Sequence, residues 1–165
     1  MNGLAITSEN REQTVSLGCF LGSSLPKGTI VCLDGDLGAG KTAFASGLAE
    51  GIGCLGFVSS PTFTLLIEHE PGAAGIALYH FDVYRLKDGA AFLDLGFDEY
   101  LSGEGICVIE WSSRIRSVLP HGCLMISLSM SAPECPDKRL ICLDWPDHVE
   151  WLREIEQWWK ENYPC

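Results

Sequence analysis

A glycine-rich loop behind a short apolar segment constrains this sequence most strongly. The segment TIVCL (29–33) is apolar and β-branched, which is typical of a strand covered on both faces. The loop after it follows the pattern G-x-x-x-x-G-K-T, from Gly35 through Gly40 and Lys41 to Thr42. Glycines at these positions let backbone N–H groups point inward around phosphate oxygens. The pattern therefore predicts a strand, a polyphosphate-binding loop and a helix in that order.

The residues after the loop agree with this chemistry. Their apolar positions are four apart and predict a helix from about Thr42, which we expect Gly51 and Gly53 to end. The positive end of the helix dipole and the Lys41 ammonium favour phosphate oxygens, and the Thr42 hydroxyl is a ligand for Mg²⁺. The predicted apolar positions are Phe44, Leu48 and Ile52. The predicted nucleotide-binding residues of the loop are Asp36, Leu37, Gly38, Ala39, Gly40, Lys41, Thr42 and Ala43.

Two aspartates in the loop, Asp34 and Asp36, carry the same sign of charge as phosphate. Side chains in such a loop can point away from a cradle built of backbone N–H groups. We expect both carboxylates to be solvated or to hold the shape of the loop.

The remaining pattern predicts a single α/β domain. Residues 8–24 are expected to form a helix with Ser8 as its N-cap, and residues 88–101 one or two short helices. Further strands are predicted at 76–83, 105–111, 123–130 and 138–145. The strand at 76–83 is expected to pair with the strand before it, from which residues 71–75 separate it. The expected fold is a P-loop NTPase-like three-layer sandwich with a mostly parallel central sheet plus antiparallel strands. Residues 1–145 would form this domain, and residues 146–165 a helical tail packed on it.

Charge and cysteine usage exclude several classes of function. The net charge of −11, with 11 basic residues, argues against direct binding of DNA or RNA, so any tRNA would be held by a partner. The eight cysteines form no C-x-x-C pair, which makes a zinc site improbable. The N-terminus lacks the basic and apolar segments of a signal peptide, and no apolar stretch is long enough to cross a bilayer. We therefore expect a cytoplasmic protein without a membrane partner.

Two acidic residues are candidates to hold Mg²⁺. Glu110 ends the apolar strand ICVIE, whose carboxyl end should lie at the same edge of the sheet as the glycine loop. Asp82 lies inside the strand HFDVYR, where a charge needs a partner or a site. We favour Glu110 as the Mg²⁺ ligand and Asp82 as a second metal-shell or water-orienting group. The alternatives are a salt bridge from Asp82 to Arg85 and a helix-entry role for Glu110.

A hydroxyl-rich loop, SPTFT, lies between these elements, as a loop that senses the γ-phosphate would. Its hydroxyls could reach phosphate or metal, and its proline stiffens the approach. The candidate residues are Ser60, Pro61, Thr62 and Thr64.

Five blocks of sequence, in this order, resemble the bacterial TsaE (YjeE) family. They are GDLGAGKT (35–42), SPTFTL (60–65), YHFDVYRL (79–86), LGFDEYL (95–101) and VIEW (108–111). The glycine loop alone is shared by many ATPases, but the five blocks together are specific, and the resemblance covers about residues 8–145. That family is the small ATPase of the pathway that installs threonylcarbamoyl on the adenosine beside the anticodon in tRNAs reading ANN codons.

The resemblance implies a site and a set of partners. It implies that Lys41 and the loop bind ATP, that Thr42 and Glu110 contact Mg²⁺, and that SPTFT is a nucleotide-responsive switch. It places Asp82 and Trp111 near the active site or the partner surface. Family members contact adenine through an N-terminal segment and a late arginine, for which the candidates are Arg11 or Glu12 and Arg139. The implied partner is a TsaB–TsaD heterodimer, which would handle the tRNA, and ATP would be hydrolysed to ADP.

Three other functions are alternatives for a chain with such a glycine loop. A GTPase needs the motif Asn-Lys-x-Asp, which this sequence lacks. A small-molecule kinase needs a cationic lid, of which Arg114 and Arg116 would be only a beginning. An ATP-dependent binding module without turnover remains the third alternative. In the tail, Trp151, Trp158 and Trp159 have helical spacing, which favours packing on the core over a partner surface.

Overall fold

The computed structural model describes residues 3–56 and 59–164, and in these residues one sheet of seven strands lies between layers of helices. The strands are β1 (Leu4–Ser8), β2 (Ile30–Asp34), β3 (Leu66–His69), β4 (Leu78–Asp82), β5 (Ile106–Glu110), β6 (Leu124–Ala132) and β7 (Cys135–Asp144). The helices are α1 (Arg11–Ser24), α2 (Lys41–Ile52), α3 (Gly89–Asp94), α4 (Asp98–Leu101) and α5 (Val149–Asn162), with a 3₁₀ helix at Ser112–Val118.

The centre of the sheet is parallel and its flanks are antiparallel. The strand order is β1-β7-β6-β2-β5-β4-β3. Strands β6, β2, β5 and β4 run parallel, whereas β1 and β7, β6 and β7, and β3 and β4 pair antiparallel. The predicted mixed sheet is therefore confirmed. Because the parallel strands end at one edge, the residues that follow β2, β4 and β5 meet there.

Apolar side chains of the central strands supply two separate cores, one on each face of the sheet. Val31 and Leu33 of β2 pack in the cluster under α1, α2 and α5, while Ile30 and Cys32 point into the cluster on the opposite face. Burial on both faces explains why TIVCL has no polar alternation. This arrangement is the three-layer sandwich expected from the sequence.

Helices α1 and α2 approach each other closely through glycines. A Cβ at Gly51 would lie 1.9 Å from the carbonyl oxygen of Cys19, and a Cβ at Gly18 would lie 2.4 Å from that of Phe44. Gly51 lies inside α2 and does not end it, so that expectation was wrong. The helix ends at Gly53, whose φ of 85° is left-handed, as the second of the two expected glycines.

The N-terminal region differs from the prediction. Ser8 is the last residue of β1, and the helix begins three residues later, with Asn10 as its N-cap. The Asn10 side chain accepts a hydrogen bond of 2.9 Å from the N–H of Gln13. Strand β1 was not predicted, and it pairs with β7, far along the chain.

The other predicted elements are confirmed within a few residues. These are the β3–β4 pair around 71–75, strand β5, the β6–β7 pair, the short helices α3 and α4, and the tail helix α5. The 3₁₀ helix was not predicted. Val58, the first residue of the predicted polar loop 58–66, lies outside the described residues.

The tail helix packs on the main core. Leu152 and Ile155 are buried in the cluster under α1 and α2, and the ring of Trp158 stacks on Phe20 at 4.2 Å with an interplanar angle of 4°. None of the helices in the described residues has the length and apolar character needed to cross a membrane.

Candidate functional site

The glycine loop joins the carboxyl end of β2 to the first turn of α2. Gly35, Gly38 and Gly40 have φ values of 151°, 78° and 103°, which glycine adopts without strain. The first intrahelical hydrogen bond runs from the N–H of Phe44 to the carbonyl of Gly40, and no side chain caps the helix. The N–H groups of residues 41–43 therefore have no partner within the helix, as expected for an anion-binding N-terminus.

Lys41 lies buried beneath this loop. Its ammonium donates a hydrogen bond of 2.9 Å to the carbonyl of Asp36 and a second to the carbonyl of Gly35, and it lies 4.2 Å from the centroid of the Trp111 ring. Burial lowers the pKa of Lys41, while the nearby carboxylates, Glu110 first, favour its charged form. Phosphate oxygens in front of the loop would favour the charged form further.

The two candidate metal carboxylates lie side by side at the carboxyl edge. Asp82 and Glu110 are register partners on the parallel strands β4 and β5, and each is only 3% exposed. Two adjacent buried carboxylates repel each other unless donors or a cation compensate them.

Asp82 is compensated mainly by the SPTFT loop. Its Oδ2 accepts hydrogen bonds from the hydroxyls of Ser60 (3.1 Å) and Thr62 (3.2 Å), and its Oδ1 accepts one of 3.0 Å from the N–H of Tyr84. Arg85 lies over the exposed ring of Phe63, and the described residues contain no ion pair between it and Asp82. The loop is thus attached to the site through Asp82.

Glu110 is held by a histidine. The Nε2 of His80 lies 2.9 Å from Glu110 Oε1, and His80 is fully buried. Among the described residues, no donor lies on the other oxygen, Oε2. His80 was not among the predicted site residues, although it belongs to the quoted HFDVYR block.

The loop aspartates have structural surroundings. Asp34 accepts hydrogen bonds from the Ser112 hydroxyl (2.6 Å) and the Ser113 N–H (3.1 Å), which attaches the loop to the start of the 3₁₀ helix. Trp111, just before that helix, adopts φ 63°, an uncommon conformation for a large side chain. The side chain of Asp36 is exposed.

The late arginine also contacts the loop. Arg139 of β7 donates from Nε to the carbonyl of Ala39 (2.9 Å) and from Nη2 to that of Gly38 (3.2 Å). Its guanidinium therefore supports a different part of the loop from Lys41, which contacts the carbonyls of Gly35 and Asp36.

These groups surround one cavity of about 600 Å³. The predicted residues that line it are Arg11, Leu37, Gly38, Gly40, Lys41, Thr42, Ala43, Ser60, Thr62, Asp82, Glu110, Trp111 and Arg139. The predicted residues outside its lining are Glu12, Asp36, Ala39, Pro61 and Thr64. The lining residues that the sequence analysis missed are Thr14, Tyr84 and Asp137, for which it offered no distinguishing pattern.

The donors present fit a nucleoside triphosphate with a divalent cation. Three uncapped N–H groups and an ammonium are suited to phosphate oxygens, and the Thr42 hydroxyl and two carboxylates are the oxygen ligands that Mg²⁺ prefers. The cavity volume lies in the usual range for small-molecule sites.

Comparisons with known proteins agree on one family. The model of the family "Threonylcarbamoyl adenosine biosynthesis protein TsaE" matches residues 8–141. The tRNA threonylcarbamoyladenosine biosynthesis protein TsaE of Bacillus subtilis is 40% identical over 134 residues, which cover 81% of this chain and 82% of the relative. The protein of the same name from Treponema pallidum is 43% identical over 125 residues, which cover 76% and 90% of the two chains.

A solved structure leads to the same conclusion. The crystal structure of Bacillus subtilis YdiB is similar to this chain with a TM-score of 0.77 and 34% identity, over 94% of this chain and 95% of that one. Sequence and structure together show that this chain belongs to the TsaE family.

Proposed function

We propose that this chain binds ATP with Mg²⁺ in the cavity and hydrolyses it slowly to ADP and phosphate, as an accessory protein acting on a TsaB–TsaD complex. Its family has a role in tRNA threonylcarbamoyladenosine biosynthesis. The observation that carries the proposal is the convergence of Lys41, Asp82 and Glu110 on one cavity in front of the uncapped N-terminus of α2.

Each residue has a chemical task in this proposal. The N–H groups of residues 41–43 and the Lys41 ammonium bind the β- and γ-phosphates. Thr42 and Glu110 would hold Mg²⁺, which would supply positive charge to offset the negative charge of the phosphates. Asp82 orients water or completes the metal shell, and its bonds to Ser60 and Thr62 connect it to the SPTFT loop.

The expected rate is low for the isolated chain. An arginine aimed at the γ-phosphate can contribute about 10³–10⁵ in rate. Arg139 is hydrogen-bonded to backbone carbonyls of the loop, Arg85 lies over Phe63, and Arg114 lies over Tyr84. Arg11, which also lines the cavity, is the candidate for the contact with adenine. A partner is therefore proposed to stimulate turnover.

Surface features support binding to a protein partner and no direct contact with tRNA. Two large apolar side chains beside the cavity project into solvent, Leu37 at 93% exposure and Phe63 at 82%. The net charge of −11 disfavours a direct nucleic-acid contact. We propose that the protein acts in the cytoplasm.

Calorimetry with ATP and Mg²⁺ tests the site. Lys41→Ala should abolish binding, because it removes the buried charge beneath the loop. Lys27→Ala is the matched control, since Lys27 is exposed and precedes β2 at the opposite end of the sheet. Wild-type affinity in Lys41→Ala would refute the site.

Turnover distinguishes the candidate reactions. Glu110→Gln should reduce hydrolysis more than ATP binding, because it weakens the metal ligand and retains the loop; an equal loss of both would indicate a structural role. Free phosphate supports the ATPase, a phosphorylated small molecule supports a kinase, and binding without turnover supports a binding module. The decisive reconstitution asks whether the chain with ATP restores tRNA threonylcarbamoylation to a TsaB–TsaD pair.

A further inference from the structure

We propose that His80 is a positioning residue that fixes the orientation of Glu110, so that one carboxylate oxygen is held by the imidazole and the other is presented to Mg²⁺. The inference rests on the proposed function, because the orientation of Glu110 matters for activity only if this carboxylate meets the metal that accompanies ATP.

The strand register places the two side chains together. Asp82 is the register partner of Glu110, and His80 lies two residues earlier on β4, on the same face. His80 Nε2 approaches Glu110 Oε1 at 2.9 Å, with exposures of 0% and 3%. This hydrogen bond between two buried side chains restricts rotation of the Glu110 carboxylate.

The chemistry of the pair fixes the direction of the hydrogen bond. A carboxylate only accepts, so Nε2 must carry a proton and donate it. The other ring nitrogen, Nδ1, is buried and has no hydrogen-bond partner among the described residues. Nothing described therefore competes with Glu110 for the imidazole.

The two acidic residues are consequently supported in different ways. Asp82 has both oxygens engaged, by two hydroxyls and a backbone N–H. Glu110 has Oε1 engaged by His80, whereas no donor on Oε2 occurs among the described residues. Of the two carboxylates, Glu110 is therefore the one with an oxygen that accepts no hydrogen bond from the described residues. Its contact with His80 determines that this oxygen is Oε2. Partners of this kind typically contribute about 10–100-fold to metal affinity.

The test measures the affinity for ATP in the presence of Mg²⁺ and again in the presence of EDTA. The ratio of the two affinities reports the contribution of the metal alone. His80→Leu removes the donor and should lower this ratio about 10–100-fold, with little change in the EDTA affinity. His80→Gln restores an N–H near the position of Nε2 and should recover most of the ratio. His69→Leu is the matched control: His69 is a buried neighbour of His80 that makes no described contact with Glu110, and its replacement should leave the ratio unchanged.

The outcomes separate the two proposals. A wild-type chain whose ATP binding does not respond to Mg²⁺ would overturn the proposed function and this inference with it. A responsive wild type whose His80 variants keep the wild-type ratio would overturn the inference alone, as would a Gln variant no better than the Leu variant.

A second test uses the wild-type chain alone, so it does not depend on whether a variant folds. Nitrogen-15 spectra that resolve the His80 ring nitrogens should show the proton on Nε2. A ring whose Nε2 carries no proton would overturn the inference, since it could not donate to Glu110.

Discussion

Replacing Gly51 by alanine should have two opposite effects on the free energy of unfolding, and their magnitudes can be compared. Helix propensity alone would favour Gly51→Ala by about 1 kcal/mol, because Gly51 lies inside α2. Against this, the new Cβ would lie 1.9 Å from the carbonyl oxygen of Cys19 and 2.9 Å from the backbone N of Ser23. Both obstacles are backbone atoms of α1, so the two helices must move apart.

The packing effect should exceed the propensity effect. Overpacking of a well-packed contact costs about 1–3 kcal/mol, and a clash with backbone belongs at the upper end of that range. We expect a net loss of about 2 kcal/mol in the free energy of unfolding, which corresponds to a fall of about 4–8 °C in melting temperature for a chain of this size.

Denaturant unfolding followed by circular dichroism measures this change. Glu50→Ala is the control, because Glu50 is exposed on the same helix and its loss should change stability by no more than about 0.5 kcal/mol. A Gly51→Ala chain as stable as the wild type, or more stable, would refute the packing argument and show that helix propensity dominates at this position.

Two further predictions concern the tail and the buried histidines. Trp158→Ala should reduce stability by about 2 kcal/mol in thermal unfolding, because it removes the half-buried ring stacked on Phe20, and it should leave partner binding by the folded chain unchanged; lost binding at unchanged stability would identify a partner surface instead. Burial, and then the neighbouring His80, lowers the pKa of His69 from its ordinary 6.5, so the folded chain favours the neutral ring. The contribution of His69 to the free energy of unfolding is complete above pH 6.5. It is lost as the pH falls below 6.5, because the unfolded state takes up the proton first. Stability measured against pH should therefore fall less steeply below 6.5 in His69→Phe than in the wild type.

The parts of the fold that are encoded locally were predictable. The strand TIVCL, the helix after the loop and the strand ending at Glu110 each have their own apolar pattern, and the structure places all three within a few residues of the prediction. Gly53 ends α2 because a left-handed residue closes the helix.

Features that depend on distant partners were not predictable. Strand β1 is short and exists through its pairing with β7, so its five residues carry no clear pattern of their own. Glycine is typical of a helix end, but Gly51 lies inside α2, where the absence of a side chain allows the close approach of α1. Without β1, Ser8 satisfied the usual rule for an N-cap, whereas Asn10 performs that function.

The candidate site shows the same division. The loop motif and the strand-end position of Glu110 indicated the residues around the cavity, but no sequence rule connects His80 to Glu110 or Arg139 to the loop. These contacts arise from strand register and from a residue separation of 100 along the chain. The role of each residue in nucleotide binding stays a prediction.

The pairing of the first strand with the last has a consequence for synthesis on the ribosome. Strand β1 is synthesised well before β7, the strand it pairs with, which ends at Asp144, and Arg139 on β7 supports the carbonyls of the glycine loop. A nascent chain stalled before residue 139 would carry the whole loop motif without its support. If the loop binds nucleotide as proposed, nucleotide should therefore stabilise the chain only after β7 has been synthesised and has paired with β1.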